Sequence, residues 1–109
     1  MSSRSDADWL NDELSGVRAR LGTDVVHRTF GDRAVVLNLR TGAYHGLNHT
    51  AYTMLDVMTA SSSLEIALDG LAARYDTPRD ELRRDLVALC GMLIDRRLVE
   101  VCASQDGAN

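Results

Sequence analysis

The residues best suited to chemistry are three histidines, His27, His45 and His49, and two cysteines, Cys90 and Cys102. Imidazoles four residues apart on one helix can hold a metal ion together, and His45 and His49 have this spacing. However, the local pattern places them on opposite sides of a strand-to-helix junction. We therefore expect these histidines at the surface or at a strand edge, and no metal site.

The two cysteines also give little indication of catalysis. Cys90 lies in the most apolar stretch of the chain, where a thiol acts as a small hydrophobe and its pKa rises. Cys102 has no partner at the spacing of a zinc site. All 12 basic residues are arginines, which excludes a Schiff-base lysine and a phosphate-loop lysine. We expect no enzyme active site and no cofactor.

Composition narrows the class of protein further. A chain of 109 residues has the size of one domain. A net charge of −4 argues against nucleic acid as the main partner, because phosphate binding needs a basic surface. No apolar run approaches the ~20 residues that span a bilayer. Two cysteines without a signal segment are typical of a cytoplasmic protein.

Alternating and helical patterns indicate an α+β domain, residues 25–102, between an N-terminal extension, residues 1–24, and a disordered tail, residues 103–109. Leu10, Leu14, Val17 and Leu21 have helical spacing, which predicts a short amphipathic helix in the extension. Residues 25–30, 34–39 and 43–47 are predicted to form a three-stranded antiparallel meander, with glycine at position 42 in its second turn. Its last strand is expected to have an open edge.

Three helices are predicted after the meander. Asn48 is expected to cap the first, and a capping box of Ser62 and Glu65 the second. Thr77 and Pro78 are expected to open the third, which should run to about residue 97. A short extended segment, residues 98–101, follows it.

The third helix carries more apolar surface than one buried face needs. Leu82, Leu86, Leu89 and Leu93 form one stripe, and Val87, Cys90 and Ile94 form a second. Either the helix is covered on both sides, or the second stripe lines an exposed groove. A groove beside the open edge of residues 43–47 would suit an extended peptide that adds as a strand. Asp85 is either a solvated charge or a specificity contact for such a peptide.

The chain resembles the PqqD family, the peptide recognition element of ribosomal peptide biosynthesis. The resemblance lies in L-N-L-R-T-G-A-Y-H-G-L-N-H-T-A (residues 37–51), A-A-R-Y-D (72–76) and R-L-V-E (97–100). It implies a non-catalytic, winged-helix-like fold that binds the leader of a precursor peptide along its third strand and third helix. The leader-binding residues implied by position are Ala43, Tyr44, His45, Gly46, Leu47, Leu82, Asp85, Leu86, Leu89, Cys90 and Leu93.

The resemblance also implies partners. A leader peptidase or another modifying enzyme would receive the bound precursor, in a lasso-peptide pathway or in pyrroloquinoline-quinone synthesis, and we favour the former. The domain would be a monomer or a weak homodimer. Two other functions fit parts of the pattern: a winged-helix regulator that binds DNA, and an adaptor whose apolar helix holds one partner protein permanently.

Overall fold

The computed structural model describes residues 8–104. Two short 3-10 turns come first, Asp8–Asp12 and Leu14–Gly16. They are followed by β1 (Val17–Leu21), β2 (Val25–Phe30), β3 (Arg33–Asn38), β4 (Tyr44–Leu47), α1 (His49–Ala60), α2 (Leu64–Arg74), α3 (Arg79–Asp95) and β5 (Val99–Ala103). The predicted α+β class is confirmed, with its three-stranded antiparallel sheet followed by three helices. None of the helices in this range has the length and apolar character needed to cross a membrane.

The three-stranded sheet has the order β2-β3-β4 and is antiparallel throughout. The β3–β4 turn is tight because Gly42 adopts a φ of +79°, which residues with a side chain rarely take. Asn38 closes the turn: its Oδ1 accepts hydrogen bonds from the N–H groups of Arg40 (2.8 Å) and Thr41 (3.1 Å). Its Nδ2 donates to the carbonyl oxygen of Arg97 (2.9 Å) and so fixes the turn to the end of α3.

One face of the sheet is buried and the other is open. Ala34, Val36 and Asn38 of β3 face the core, and the residues that alternate with them, Val35 and Leu37, are half-buried on the outer face. Helix α1 packs against β3 and β4 and also contacts α2 and α3. The core is made largely of leucines and methionines from the three helices, closed by the inner face of the sheet.

The prediction of an amphipathic helix in the N-terminal extension is wrong, because two 3-10 turns and β1 occupy this segment. Leu10 and Leu14 are buried, as their spacing suggests, but they project from the two 3-10 turns. Val17 and Leu21 belong to β1, which pairs with β5 in a separate two-stranded sheet, from Val17 opposite Ala103 to Leu21 opposite Val99. The pairing partner of β1 is at the other end of the chain, so no local pattern could predict this strand.

The N-terminal segment is therefore part of the same core as the rest of the domain. The predicted division after residue 24 falls in the β1–β2 turn, which is not a break in packing, because Leu10 and Leu14 join the main hydrophobic cluster. Within the predicted disordered tail, Ala103 lies in β5 and Ser104 is buried, and its N–H donates to the carbonyl oxygen of Gly16 at 2.9 Å. The first seven residues of the predicted extension and residues 105–109 of the predicted tail lie outside the described residues.

Of the three predicted helix caps, one agrees with the structure. Asn48 caps α1 as predicted, its Oδ1 accepting from the N–H of Ala51 at 2.9 Å. The cap of α2 is Ser63 rather than Ser62, with its Oγ accepting from the N–H of Ile66 at 3.1 Å. In α3, Pro78 occupies the capping position itself, and Thr77 does not cap the helix. The capping position shifts by one residue in both cases, which a run of serines or a Thr-Pro pair does not fix.

Candidate peptide-binding site

The open edge of β4 presents unpaired backbone groups. Within residues 8–104, β4 pairs only with β3. The N–H of Asn38 donates to the carbonyl oxygen of Ala43 at 2.8 Å, which sets the phase of the ladder. Because bonded and non-bonded pairs alternate in antiparallel sheets, His45 and Leu47 bond to β3. The N–H and C=O groups of Tyr44 and Gly46 therefore point away from the sheet, where an added strand could pair with them.

The five predicted edge residues differ in exposure. Tyr44 is 66% exposed and Gly46 is also exposed, both on the outer face of the sheet. Ala43 and His45 are half-buried, and Leu47 is buried in the core. Backbone groups, rather than side chains, thus make up most of what this edge offers.

Of the six predicted helix residues, four are buried in the core of the domain. Leu82 is 3% exposed, and Leu86, Cys90 and Leu93 are fully buried. Only Leu89, which is half-buried, and Asp85, which is exposed, can touch a bound molecule directly in this conformation. The first apolar stripe of α3 therefore serves the fold more than a groove.

The second stripe of α3 is accessible at two of its three positions. Val87 and Ile94 are half-buried. Val87 lines a depression of about 710 Å³ between α3 and the first 3-10 turn, beside Asn11 and Arg83. Ile94 lines another of about 420 Å³ that Arg40 and Thr41 of the hairpin border. The second stripe is thus covered at Cys90 and accessible at Val87 and Ile94. Each of the two explanations for the extra apolar surface of α3, a covered helix or an exposed groove, therefore holds for part of the helix.

The N-terminal segment forms one side of the depression at Val87, and this contact was not predicted. The Nε of Arg83 donates to the Oδ1 of Asn11 at 3.0 Å, and its guanidinium also donates to the Asn11 carbonyl oxygen. These bonds join residues 72 positions apart in sequence. Neither residue type carries a signal that would have shown the contact.

The outer face of the sheet is an exposed apolar surface, which we call the outer patch. Its most exposed members are Tyr44, Phe30 (65%) and Leu39 (62%). Phe30 and Leu39 line a shallow depression of about 320 Å³, together with Val26, Arg28, Val35 and Leu37. The alternation of residues 34–39 shows that the strand has two distinct faces, but the sequence alone does not show which of them the helices cover.

The groups capable of chemistry lie apart from one another. Burial raises the pKa of the Cys90 thiol to about 12, so it is neutral and shielded at physiological pH. His27 is exposed and its ring lies 5.8 Å from that of Tyr52, and His49 is the exposed first residue of α1. Within residues 8–104, no cluster of three or more histidine, cysteine, aspartate or glutamate side chains is arranged to hold a metal ion.

The fold and the open edge define a small α+β domain of winged-helix type with a sheet that one more strand could extend. The family model "Coenzyme PQQ synthesis protein D (PqqD)" matches residues 33–99, which is more than half of the chain. The chain belongs to the PqqD family. No curated protein matches it.

Two solved structures are similar to the chain. One is "TbiB1 in Complex with the TbiA(beta) Leader Peptide", with a TM-score of 0.66 and 26% identity over 74% of this chain and 94% of that one. The other is "Lasso peptide synthetase B1 complexed with the leader peptide", with a TM-score of 0.66 and 24% identity over 76% of this chain and 98% of that one. The second likeness concerns the fold alone.

Proposed function

We propose that this chain binds the leader segment of a ribosomally made precursor peptide and presents it to an enzyme that acts on that peptide. The observation that carries the proposal is the open edge of β4, where the N–H and C=O groups of Tyr44 and Gly46 face outward. An extended peptide would add there as a strand, bonded through its backbone.

The comparisons support this proposal. TbiB1 is described in complex with a leader peptide, and the chain matches almost the whole of TbiB1. Membership of the PqqD family is consistent with a role in making a peptide-derived product. We also propose a lasso-type pathway rather than coenzyme PQQ synthesis, and the parallel titration described below tests this choice.

The proposed site has two parts with different roles. Residues 43–47 supply the pairing edge, and Leu89 and Asp85 of α3 contact the side chains of the bound leader. Leu82, Leu86, Cys90 and Leu93 hold α3 in place from the core side.

We further propose that the chain is an adaptor and not an enzyme. The one shielded thiol has a raised pKa, and the histidines lie on separate elements. The chemical step would then belong to a separate leader peptidase or modifying enzyme, with this domain raising the local concentration of its substrate.

The direct test is titration with a labelled synthetic leader peptide, taken from any short precursor that a search of the genes around this chain's gene identifies. Fluorescence anisotropy would give the affinity, and amide NMR shifts would locate the contact. We expect shifts concentrated at residues 43–47 and along α3. A precursor peptide from a coenzyme PQQ cluster, titrated in parallel, distinguishes the two pathways. Absence of binding by both peptides would refute the proposal.

A proline variant tests strand addition itself. Tyr44→Pro removes an outward N–H and leaves the bonds to β3, and edge strands tolerate proline at such positions. Losing one backbone hydrogen bond should weaken leader binding about 2- to 10-fold relative to Tyr44→Ala, which removes the same ring but keeps the N–H. Thr29→Pro is the matched control on β2. The Leu39 N–H bonds to the Asp24 carbonyl oxygen at 2.8 Å, which sets the ladder phase so that the Thr29 N–H faces the opposite edge. Equal affinity of the two folded proline variants would contradict strand addition at β4.

A further inference from the structure

Gly46 is a glycine that the fold of the domain does not require. Gly31 and Gly42 have φ values of +65° and +79° and are needed in their turns, but the backbone of Gly46 is not in this region. A Cβ built at Gly46 would meet no atom within 4 Å. Glycine weakens a strand interior and often marks the close approach of a ligand, and nothing in the described part of the chain requires it at this position.

The position of Gly46 indicates what approaches it. Its N–H and C=O face the open edge, and the place of its missing side chain is on the outer face of the sheet. Tyr44, two residues earlier, projects from this same face and is exposed. Val35 lies directly opposite Gly46 on β3, in a non-hydrogen-bonded pair, where side chains stand closest. Gly46 is thus the floor of a notch bordered by Tyr44 and Val35.

We propose that Gly46 determines specificity by accepting a large apolar side chain, preferably aromatic, from the bound peptide. This inference rests on the proposed function, since the occupant is a residue of the added strand. The peptide residue paired with Gly46 projects its side chain to the outer face, at about 5 Å from the missing Cβ. With no side chain there, an aromatic ring can lie across Gly46 and pack on Tyr44 and Val35, as aromatic residues do over glycines in neighbouring strands.

The surroundings of the notch suit an apolar occupant. The outer patch continues from Tyr44 and Val35 to Leu37 and Leu39 without entering the core. An apolar ring in the notch would extend this patch across the new strand and remove part of the exposed Tyr44 from water. The leader is thereby read on both faces, by α3 on one side and by the notch on the other.

The test fills the notch. Gly46→Val places a strand-favouring side chain where nothing obstructs it, so the melting temperature should be equal to or above that of the wild type. Affinity for the labelled leader peptide that the wild type binds should fall at least 10-fold. Thr29→Val, which places the same side chain at an exposed position of β2 outside the outer patch, should leave affinity unchanged.

A second series identifies the occupant. Each apolar residue of the leader peptide is replaced in turn by alanine, and every peptide is titrated against the wild type and Gly46→Val. For one aromatic or large aliphatic position, the alanine peptide should bind both proteins with nearly equal affinity. If wild-type protein binds the leader and Gly46→Val binds equally well, the notch proposal fails and the proposed function stands. If Gly46→Val lowers the affinity of every alanine peptide by the same factor, no single leader side chain occupies the notch and the notch proposal is refuted. If the wild type binds no leader, the proposed function itself fails.

Discussion

The burial of Leu10 leads to a quantitative prediction about the N-terminal segment. This side chain is fully buried in the main core although it projects from a five-residue 3-10 turn. Leucine-to-alanine changes at such sites cost about 2–5 kcal/mol, depending on how far the site collapses. A turn near a chain end can relax, so we expect about 2–3 kcal/mol for Leu10→Ala. For a domain of this size, that lowers the melting temperature by about 10–20 °C.

The measurement is urea unfolding followed by circular dichroism, together with a thermal scan. Leu39→Ala is the matched control, because the same atoms are removed from a residue that is 62% exposed, and its cost should stay within about 0.5 kcal/mol. Equal stability of the two variants would refute the view that the N-terminal segment completes the core. It would mean instead that this segment lies on a core that is stable without it.

Three further predictions concern the core and the site. Cys90 should resist alkylation in the folded protein while Cys102 reacts. The free energy of unfolding should fall from pH 9 to pH 12, relative to Cys90→Ala, because the unfolded thiol ionises near 9.0 and the folded one only near 12. The slope is at most about 1.4 kcal/mol per pH unit, and a flat difference would contradict it. Asn38→Ala should cost about 2–4 kcal/mol in urea unfolding, since three hydrogen bonds are lost; a cost under about 1 kcal/mol would show that water replaces them. Leu93→Asp should unfold the domain, whereas Leu89→Asp should leave it folded and lose leader binding by anisotropy. A folded Leu93→Asp would contradict the burial found for this residue.

The elements that the sequence predicts well are those fixed by neighbours in the chain. The meander follows from period-2 alternation and from Gly42, and α1 follows from its cap at Asn48. The helix predicted over Val17 to Leu21 was wrong because the apolar spacing of this segment fits a helix, whereas the segment is a strand that pairs with β5. Tertiary pairing overrides local periodicity in such a segment.

The candidate site was predictable only in part, and for a physical reason. The edge at residues 43–47 depends on strand order, which a simple meander reveals. The α3 contribution depends on which side of the helix the rest of the chain covers. Leu82, Leu86 and Leu93 share a stripe with Leu89, yet only Leu89 remains partly accessible. The sequence gives the stripe but not the depth at which each member lies.

The pairing of β1 with β5 has a consequence for how the protein is made. Arg20 and Glu100 face each other across this ladder and are 80 residues apart in sequence. During synthesis, β1 leaves the ribosome long before its partner exists. Contacts of such high sequence separation form late, so the sheet with the peptide-binding edge and the three helices can assemble before the two-stranded sheet closes. We expect refolding to show its last phase in the β1–β5 amides, with the β3–β4 amides protected earlier.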